Sequence, residues 1–208
     1  MQTQILLFPG FDELDAFAPY EVLHMAAASG ADLQTEYVTL GGAETVTASH
    51  GTRVCPQGTL NLAEPPHLLI VPGGGWNTRS AQGAWAEAQR GDIPKTIAAL
   101  HGAGVTLVAV CTGAMLLAAA GLTQGRPATT HHGALEELRA SGADIVHARV
   151  VDDGDVVTAG GITSGLDLAL WLVERFFGAA LALDVEQNLE YERRGTVWRR
   201  ASSPELTL

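Results

Sequence analysis

Short apolar runs alternate along the chain with segments in which apolar residues recur at helical spacing. The apolar runs predict strands over residues 4–8, 36–40, 68–71 and 105–110. The helical segments cover residues 16–28, 80–101 with a break near Gly91, 112–120, 135–140, 164–177 and 180–193. Two hairpins are predicted, one from residues 45–48 and 52–55, the other from residues 148–152 and 155–158. Strands that alternate with helices through short connections predict an α/β sandwich with a mainly parallel sheet.

Length, composition and charge limit the classes of protein that this pattern can describe. With 208 residues, 47% of them hydrophobic, we expect one domain over residues 1–195 and a disordered tail over residues 196–208. The net charge of -11 argues against a surface that binds nucleic acid. No apolar run reaches the length of a membrane span, and no basic leader of a signal peptide is present. We therefore expect a cytoplasmic protein that binds neither nucleic acid nor membrane.

Cys111 lies where a predicted strand ends and a predicted helix begins. The N-terminal end of a helix favours negative charge, so this position favours the reactive thiolate. A free cysteine in an apolar stretch is also commonly a small buried packing residue, and the local pattern supports both interpretations. Cys55 precedes Pro56 at the end of a short strand, where we expect no chemical role. Two cysteines do not predict a disulfide framework.

Three features follow the carboxyl ends of predicted strands: Asp15, Cys111 and a glycine-rich turn made of Pro72, Gly73, Gly74, Gly75 and Trp76. Ligands of parallel sheets bind at that edge, which favours a chemical role for Cys111. The turn lacks the lysine of a phosphate-binding loop, so it is either a plain tight turn or a source of inward-facing N–H groups. Asp15 either caps a helix that begins at Ala16 or, if buried, supplies a proton beside the cysteine.

Two further groups of polar residues surround these features in the sequence. Asp12 and Glu13 are expected in a solvated loop before the first helix. His131 and His132 are adjacent, and neighbouring side chains on a strand or turn point in different directions, so we expect no shared metal ion. No cysteine or histidine spacing resembles a zinc site, and we predict neither a metal nor a cofactor. One histidine of the pair could orient or deprotonate Cys111.

Several motifs together resemble the ThiJ/PfpI superfamily of class I glutamine-amidotransferase-like proteins. They are Ala109-Val110-Cys111-Thr112-Gly113-Ala114, Gly125-Arg126-Pro127-Ala128-Thr129-Thr130-His131, Val71-Pro72-Gly73-Gly74 and Thr158-Ala159-Gly160-Gly161. The resemblance extends from about residue 3 to residue 192 and implies a flavodoxin-like three-layer sandwich that forms homodimers. Two branches share the motifs, the isonitrile hydratases and the sensor domains of AraC-type regulators. About fifteen residues follow the last predicted helix, too few for the helix-turn-helix modules of such a regulator.

Resemblance to the hydratases implies that Asp15, Cys111 and Thr112 occupy functional positions. His132 stands where the pattern often has tryptophan, and we expect it to line the substrate pocket with Trp76 and residues 73–75. The implied reaction is attack of Cys111 on an isonitrile carbon that Asp15 protonates, followed by release of an N-substituted formamide. The backbone N–H of Thr112 and the glycine turn would stabilise the intermediate, and His131 would assist the water step.

Two other functions remain open from the sequence. The same cysteine, with His131 as proton carrier, suits a glyoxalase III-like or deglycase-like activity on small reactive aldehydes. A non-catalytic sensor of small molecules or oxidative stress would also use an accessible, low-pKa cysteine. Peptidase activity is not expected. For the homodimer, the apolar helix over residues 166–177 is the candidate contact surface.

Overall fold

The computed structural model describes residues 1–200. Its strands are β1 (Gln2–Leu6), β2 (Gln34–Thr39), β3 (Val46–Thr47), β4 (Arg53–Val54), β5 (Gly58–Thr59), β6 (Leu68–Val71), β7 (Thr106–Ala109), β8 (Pro127–Ala128), β9 (Asp144–Ile145), β10 (Val150–Asp152), β11 (Val156–Ala159) and β12 (Trp198–Arg199). Its helices are α1 (Glu13–Ala28), α2 (Ala84–Arg90), α3 (Asp92–Gly102), α4 (Gly113–Ala119), α5 (Leu135–Ala140), α6 (Ser164–Phe177) and α7 (Ala179–Asn188).

The central sheet has eight strands in the order β12-β10-β11-β7-β6-β1-β2-β5. Strand β10 runs antiparallel to β11, and the other neighbouring pairs of this sheet are parallel. One group of contacting helices consists of α1, α6 and α7, and a second group consists of α2, α3, α4 and α5. The sheet lies between these two layers, which confirms the predicted flavodoxin-like α/β sandwich.

The core follows from strands that are covered on both faces. Residues 68–71 (LLIV) are buried at every position, as continuous apolar runs in parallel sheets are. The neighbouring strand β7 continues this buried layer, because Leu107, Val108 and Ala109 have no exposed surface. Burial of each large aliphatic side chain stabilises the fold by about 1.5–3 kcal/mol. These central strands therefore form a rigid base for the segments that follow them.

Most predicted elements are confirmed, and the differences have local causes. The two hairpins pair as β3-β4 and β10-β11, and Gly91 separates α2 from α3 with φ of 81°. The last helix ends at Asn188 rather than at residue 193, and the helix predicted from residue 80 begins at Ala84, after a turn. The strands β5, β8, β9 and β12 were not predicted, because two-residue strands carry no measurable alternation.

The start of α1 corrects two expectations. The helix begins at Glu13, and its N-cap is Asp12, whose Oδ1 accepts the backbone N–H of Leu14 at 3.2 Å. Asp15 is therefore not the cap. Glu13 is not in a solvated loop, since its carboxylate accepts a hydrogen bond from His50 Nδ1 at 2.7 Å. Burial acts to raise the pKa of Glu13, but hydrogen bonds from His50 and Ser49 lower it to about 2.

Helix α6, which the sequence suggested as a contact surface, is apolar largely because it packs inside the molecule, and Phe176 in its last turn is exposed. Its residues 168–173 are buried, and the helix packs against α1 and α7 within the molecule. In the predicted tail, Trp198–Arg199 pair with β10, and residues 201–208 of that tail lie outside the described residues. Within residues 1–200, no helix combines the length and apolarity needed to cross a bilayer.

Candidate active site

Cys111 occupies a strained turn between β7 and α4. Its φ is 56°, a conformation that residues other than glycine rarely adopt and that tends to occur at functional sites. The backbone N–H of Cys111 donates to the carbonyl oxygens of Ala159 and Gly160 at 3.2 and 3.0 Å. The hydroxyl of Thr130 donates to the Cys111 carbonyl at 2.8 Å. The end of β11 and the segment after β8 thus hold the cysteine in this conformation.

The glycine-rich turn after β6 packs directly against the cysteine turn. The N–H of Gly74 donates to Thr112 Oγ1 at 3.0 Å. A Cβ on Gly73 would lie 2.5 Å from that same oxygen, so only glycine permits this approach. Gly73 donates its N–H to Asp15 Oδ2 at 2.9 Å. Of the three glycines, Gly75 alone has an N–H without an acceptor in the described part of the chain.

The carboxyl group of Asp15 lies beside the Cys111 side chain and is fully buried. Its Oδ1 has no hydrogen-bond partner among residues 1–200. Burial, followed by the charge of Asp12, raises the pKa of Asp15 well above its ordinary value, although hydrogen bonds from Gly73 and Cys111 act in the opposite direction. The raised pKa favours the protonated form of Asp15, which lies next to a sulfur atom.

The thiol of Cys111 does not show the thiolate preference that the sequence suggested. Burial, and then the charge of Asp15, raise the pKa of this thiol. Protonation of Asp15 removes the second contribution. The backbone N–H groups of Ile162 and Thr112 bond to the sulfur and lower its pKa. Burial thus favours the thiol form of Cys111 and the protonated form of Asp15.

A cleft of about 180 Å³ opens above the sulfur. Its lining contains five of the predicted site residues, which are Gly74, Gly75, Trp76, Cys111 and Thr112, and a sixth, His131. It also contains Asp12, Asn77, Thr78 and Ile162, which the sequence analysis did not select. Ile162 could have been found, since it follows the quoted segment Thr158-Ala159-Gly160-Gly161 at the end of a strand. Asp15 and Gly73 contact the site from below without lining it.

Trp76 forms one wall of the cleft and is held from behind. Its Nε1 donates to Glu137 Oε2 at 3.1 Å, and its ring meets that of Trp85 edge to face at 5.1 Å. Arg79 lies over the Trp85 ring at 3.9 Å and donates to Glu137 Oε1 at 2.9 Å. A cation over an aromatic face and a shared carboxylate fix the loop between β6 and α2. This wall is therefore rigid although it is a loop.

Only one of the two adjacent histidines reaches the Cys111 cleft. His131 lines both this cleft and an adjoining groove of about 610 Å³, whereas His132 lines the groove and not the cleft. Their rings lie 4.2 Å apart. Burial, followed by the proximity of His132, lowers the pKa of His131, so its imidazole is neutral at neutral pH. Within residues 1–200, no group of three histidine, cysteine or acidic side chains could hold a metal ion.

Comparison with known proteins identifies the family. Residues 1–175 match the model of the DJ-1/PfpI family. The chain is 37% identical over 191 residues to isonitrile hydratase of Pseudomonas putida, an alignment of 92% of this chain and 78% of that protein. It is 32% identical over 185 residues to the HTH-type transcriptional regulator CdhR of Pseudomonas aeruginosa, covering 88% and 53%. A crystal structure of a ThiJ/PfpI family protein from Pseudomonas syringae superposes with a TM-score of 0.78 at 27% identity, covering 93% of this chain and 76% of the other. This chain therefore belongs to the DJ-1/PfpI family.

Proposed function

We propose that the protein hydrates a small isonitrile to an N-substituted formamide, with Cys111 as the nucleophile and Asp15 as the acid. The observation that carries this proposal is the fully buried carboxyl group of Asp15, with its raised pKa, beside the Cys111 sulfur. The terminal carbon of an isonitrile must gain both a nucleophile and a proton, so it needs these two groups at one place. The 37% identity to an isonitrile hydratase supports the same chemistry.

The reaction balances with these residues and one water molecule. The sulfur of Cys111 bonds to the isonitrile carbon while Asp15 delivers a proton to that carbon, and the thiol proton passes to Asp15. The product of this step is a thioimidate, in which the former isonitrile carbon is bonded to the Cys111 sulfur and to the added hydrogen. Water then adds to that carbon as its nitrogen gains a proton. Cleavage of the carbon–sulfur bond releases the formamide and regenerates the thiol.

Backbone N–H groups stabilise the charge that develops in these steps. Thr112 and Ile162 direct their N–H groups at the sulfur, where negative charge appears as the thiol gives up its proton. Gly75 has the N–H that remains available to a ligand, because the N–H groups of Gly73 and Gly74 are engaged by Asp15 and Thr112. Of the three glycines in the turn, Gly75 is therefore the one that supplies the second N–H donor.

The size of the cleft supports a small substrate. Its volume of about 180 Å³ lies below the roughly 300–1,000 Å³ of pockets that hold drug-sized ligands. The walls at Trp76 and Ile162 are apolar and suit a short aliphatic substituent on the isonitrile nitrogen. An extended peptide does not fit this space, which favours a small-molecule hydratase over a peptidase.

A paired assay tests the proposal. The purified protein is given a simple aliphatic isonitrile, with formamide as the product, and separately methylglyoxal, with lactate as the product. We expect formamide only, and we expect Cys111→Ala to abolish it, because no other nucleophile lines the cleft at that point. Cys55→Ala is the matched control, since Cys55 is exposed and outside the cleft, and it should retain full activity.

Three results would contradict the proposal. Undiminished formamide formation by Cys111→Ala would remove the nucleophile from the mechanism. Lactate without formamide would assign the site to aldehyde chemistry. Activity on neither compound, together with sulfenic or sulfinic acid at Cys111 by mass spectrometry, would assign the protein to the sensors.

A further inference from the structure

The imidazole of His131 is held by two N–H donors at one of its nitrogens. The backbone N–H of Gly133 donates to Nδ1 at 3.1 Å, and the side-chain amide of Asn77 contacts the same nitrogen through Nδ2 at 3.2 Å. A backbone N–H can only donate, so Nδ1 must be the acceptor and carries no proton. A neutral imidazole has one N–H, which places the proton of His131 on Nε2.

The same contacts disfavour the opposite orientation of the ring. Rotation of the imidazole by half a turn would place a carbon atom where Nδ1 accepts both bonds. The Gly133 N–H and the Asn77 amide would then both lose their acceptor within the protein. Because both residues are exposed, water would replace part of each lost bond, and a net contribution of about 0.5–1.5 kcal/mol per bond favours the observed orientation. The ring orientation and the tautomer are therefore favoured together.

Two glycines allow the frame around this ring to close. A Cβ on Gly133 would lie 2.7 Å from Asn77 Nδ2, so a side chain there would push the amide away. A Cβ on Gly161 would lie 2.5 Å from His131 Cδ2, on the opposite edge of the ring. The imidazole is thus confined between Asn77 with Gly133 on one edge and Gly161 on the other. Glycine is needed at both positions because a side chain would be too close to Asn77 or His131, and not because the backbone has a positive φ.

We propose that Asn77 is a positioning residue that holds His131 as its Nε2–H tautomer, so that His131 acts as a hydrogen-bond donor and not as a base. The identity of the substrate atom that receives this bond rests on the proposed isonitrile hydration. The nitrogen of the thioimidate is the atom that must gain a proton as water adds. A neutral imidazole N–H stabilises charge developing there without transferring its own proton, as neutral histidines do in other enzymes.

This assignment changes the role that the sequence suggested for His131. With its lone pair on Nδ1 occupied by two donors and a proton on Nε2, the ring has no free base for the Cys111 thiol or for water. The titratable groups around it are His132, which contacts the ring, and Asp12 and Cys111, which share its cleft. Asp15 is then the proton carrier of the thiol.

The tautomer can be measured in the free protein. Long-range proton–nitrogen NMR of ¹⁵N-labelled protein at neutral pH distinguishes a protonated from an unprotonated imidazole nitrogen. We expect the proton of His131 on Nε2. A proton on Nδ1 in the wild-type protein would overturn the inference. This readout needs no substrate, so it stands whether or not the protein hydrates isonitriles, and the two proposals can fail separately.

The variant Asn77→Asp tests the role of the amide. A carboxylate accepts hydrogen bonds and cannot donate to an unprotonated Nδ1, so it favours a proton there. We expect the fraction of His131 protonated on Nδ1 to rise, although the Gly133 N–H still opposes a proton there, and the pKa of His131 to rise by about one pH unit or more. Asn61→Asp is the matched control, because it adds the same charge at an exposed loop residue, and His131 should not change. An unchanged tautomer in Asn77→Asp would overturn the role of Asn77.

Kinetics with two substitutions at residue 131 test the donor itself. The amide of glutamine reaches the position of Nε2, and that of asparagine reaches the position of Nδ1. We expect His131→Gln to retain a kcat about tenfold or more above that of His131→Asn, with a similar KM for both, since one well-placed donor contributes on that scale. Equal activity of the two variants would contradict a donor at Nε2.

Discussion

At the scale of single residues, burial decides the chemistry of Asp15. The carboxyl group has no exposed surface, its Oδ2 accepts the Gly73 N–H, and its Oδ1 has no partner among residues 1–200. Ionisation there would leave a buried charge with little compensation, so burial favours the protonated form. The same burial holds Cys111 as a thiol. The proton donor Asp15 and the thiol of Cys111 thus lie side by side, as the proposed addition to an isonitrile carbon requires.

Asp15→Asn should reduce activity and change the dependence of stability on pH. Asparagine can still accept the Gly73 N–H but cannot deliver a proton, so we expect kcat to fall by about 10²-fold or more. The folded pKa of Asp15 is raised above its ordinary value of 3.8. The contribution of Asp15 to stability is therefore fully present below pH 3.8 and is lost as pH rises towards the folded pKa, by at most about 1.4 kcal/mol per pH unit.

Thermal unfolding from pH 4 to pH 8 measures this difference. We expect the Tm of Asp15→Asn to exceed that of the wild type by an amount that increases with pH. Cys111 is present in both proteins and cancels from the comparison. Asp184→Asn, an exposed substitution in α7, should show no such trend. A Tm difference independent of pH would show that Asp15 ionises normally in the folded protein.

At the scale of elements, the site is made by turns that pack closely on one another. Helix α4 begins at Gly113 directly against the end of β6, and a Cβ on Gly113 would lie 2.1 Å from the carbonyl oxygen of Val71. That separation is far below any real contact, so the helix would have to move away from the strand. Movement of α4 would also displace Cys111 and Thr112, which precede it.

Gly113→Ala should destabilise the protein although alanine favours helices. Intrinsic propensity favours alanine over glycine by about 1 kcal/mol, whereas the clash with Val71 costs about 2 kcal/mol or more as strain in a close-packed interior. Gly102→Ala is the matched control, since it lies in helix α3 with open space around its Cβ, and we expect it to be neutral or slightly stabilising. Urea unfolding of both variants gives the comparison. A Gly113→Ala protein as stable as Gly102→Ala would mean that α4 is not pressed onto β6.

At the scale of the whole molecule, the order of strands assembles the cleft. Strand β7, which leads to Cys111, lies between β6 and β11 in the sheet, and β1 lies beyond β6. These four strands are mutually parallel, so their carboxyl ends meet at one edge. Segments far apart in sequence, carrying Asp15, the glycine turn and Ile162, therefore converge on one sulfur atom.

The expected homodimer is a prediction at this scale. Leu14 and Ile162 are exposed by 38% and 41%, and both lie in segments next to the cleft. We expect multi-angle light scattering to give the mass of two chains, and Leu14→Glu to shift the protein towards one chain. Leu62→Glu alters a more exposed leucine in a loop and should leave the dimer intact. A wild type that remains a single chain at all concentrations would contradict the dimer.

The local pattern of the sequence predicted the elements, and the chain's motifs predicted the nucleophile. Residues 68–71 and 164–177 have the observed bounds, because burial on both faces of a strand leaves a continuous apolar run and burial of one side of a helix leaves a helical periodicity. Cys111 could be placed at a strand-to-helix turn for the same reason. The two-residue strands β5, β8, β9 and β12 and the N-cap of α1 could not be predicted, since so few residues show no hydrophobic periodicity.

Only the tertiary structure decided the state of the protons and the lining of the cleft. The local pattern suggested a thiolate at Cys111, but the surrounding core buries the sulfur beside Asp15 and favours the thiol. Asn77 and Ile162 come from loops without a periodic signal, and their contacts with His131 and the sulfur exist only once the strands are side by side. Which residues are apolar is a property of the sequence, whereas the pKa of a group depends on what folding brings next to it.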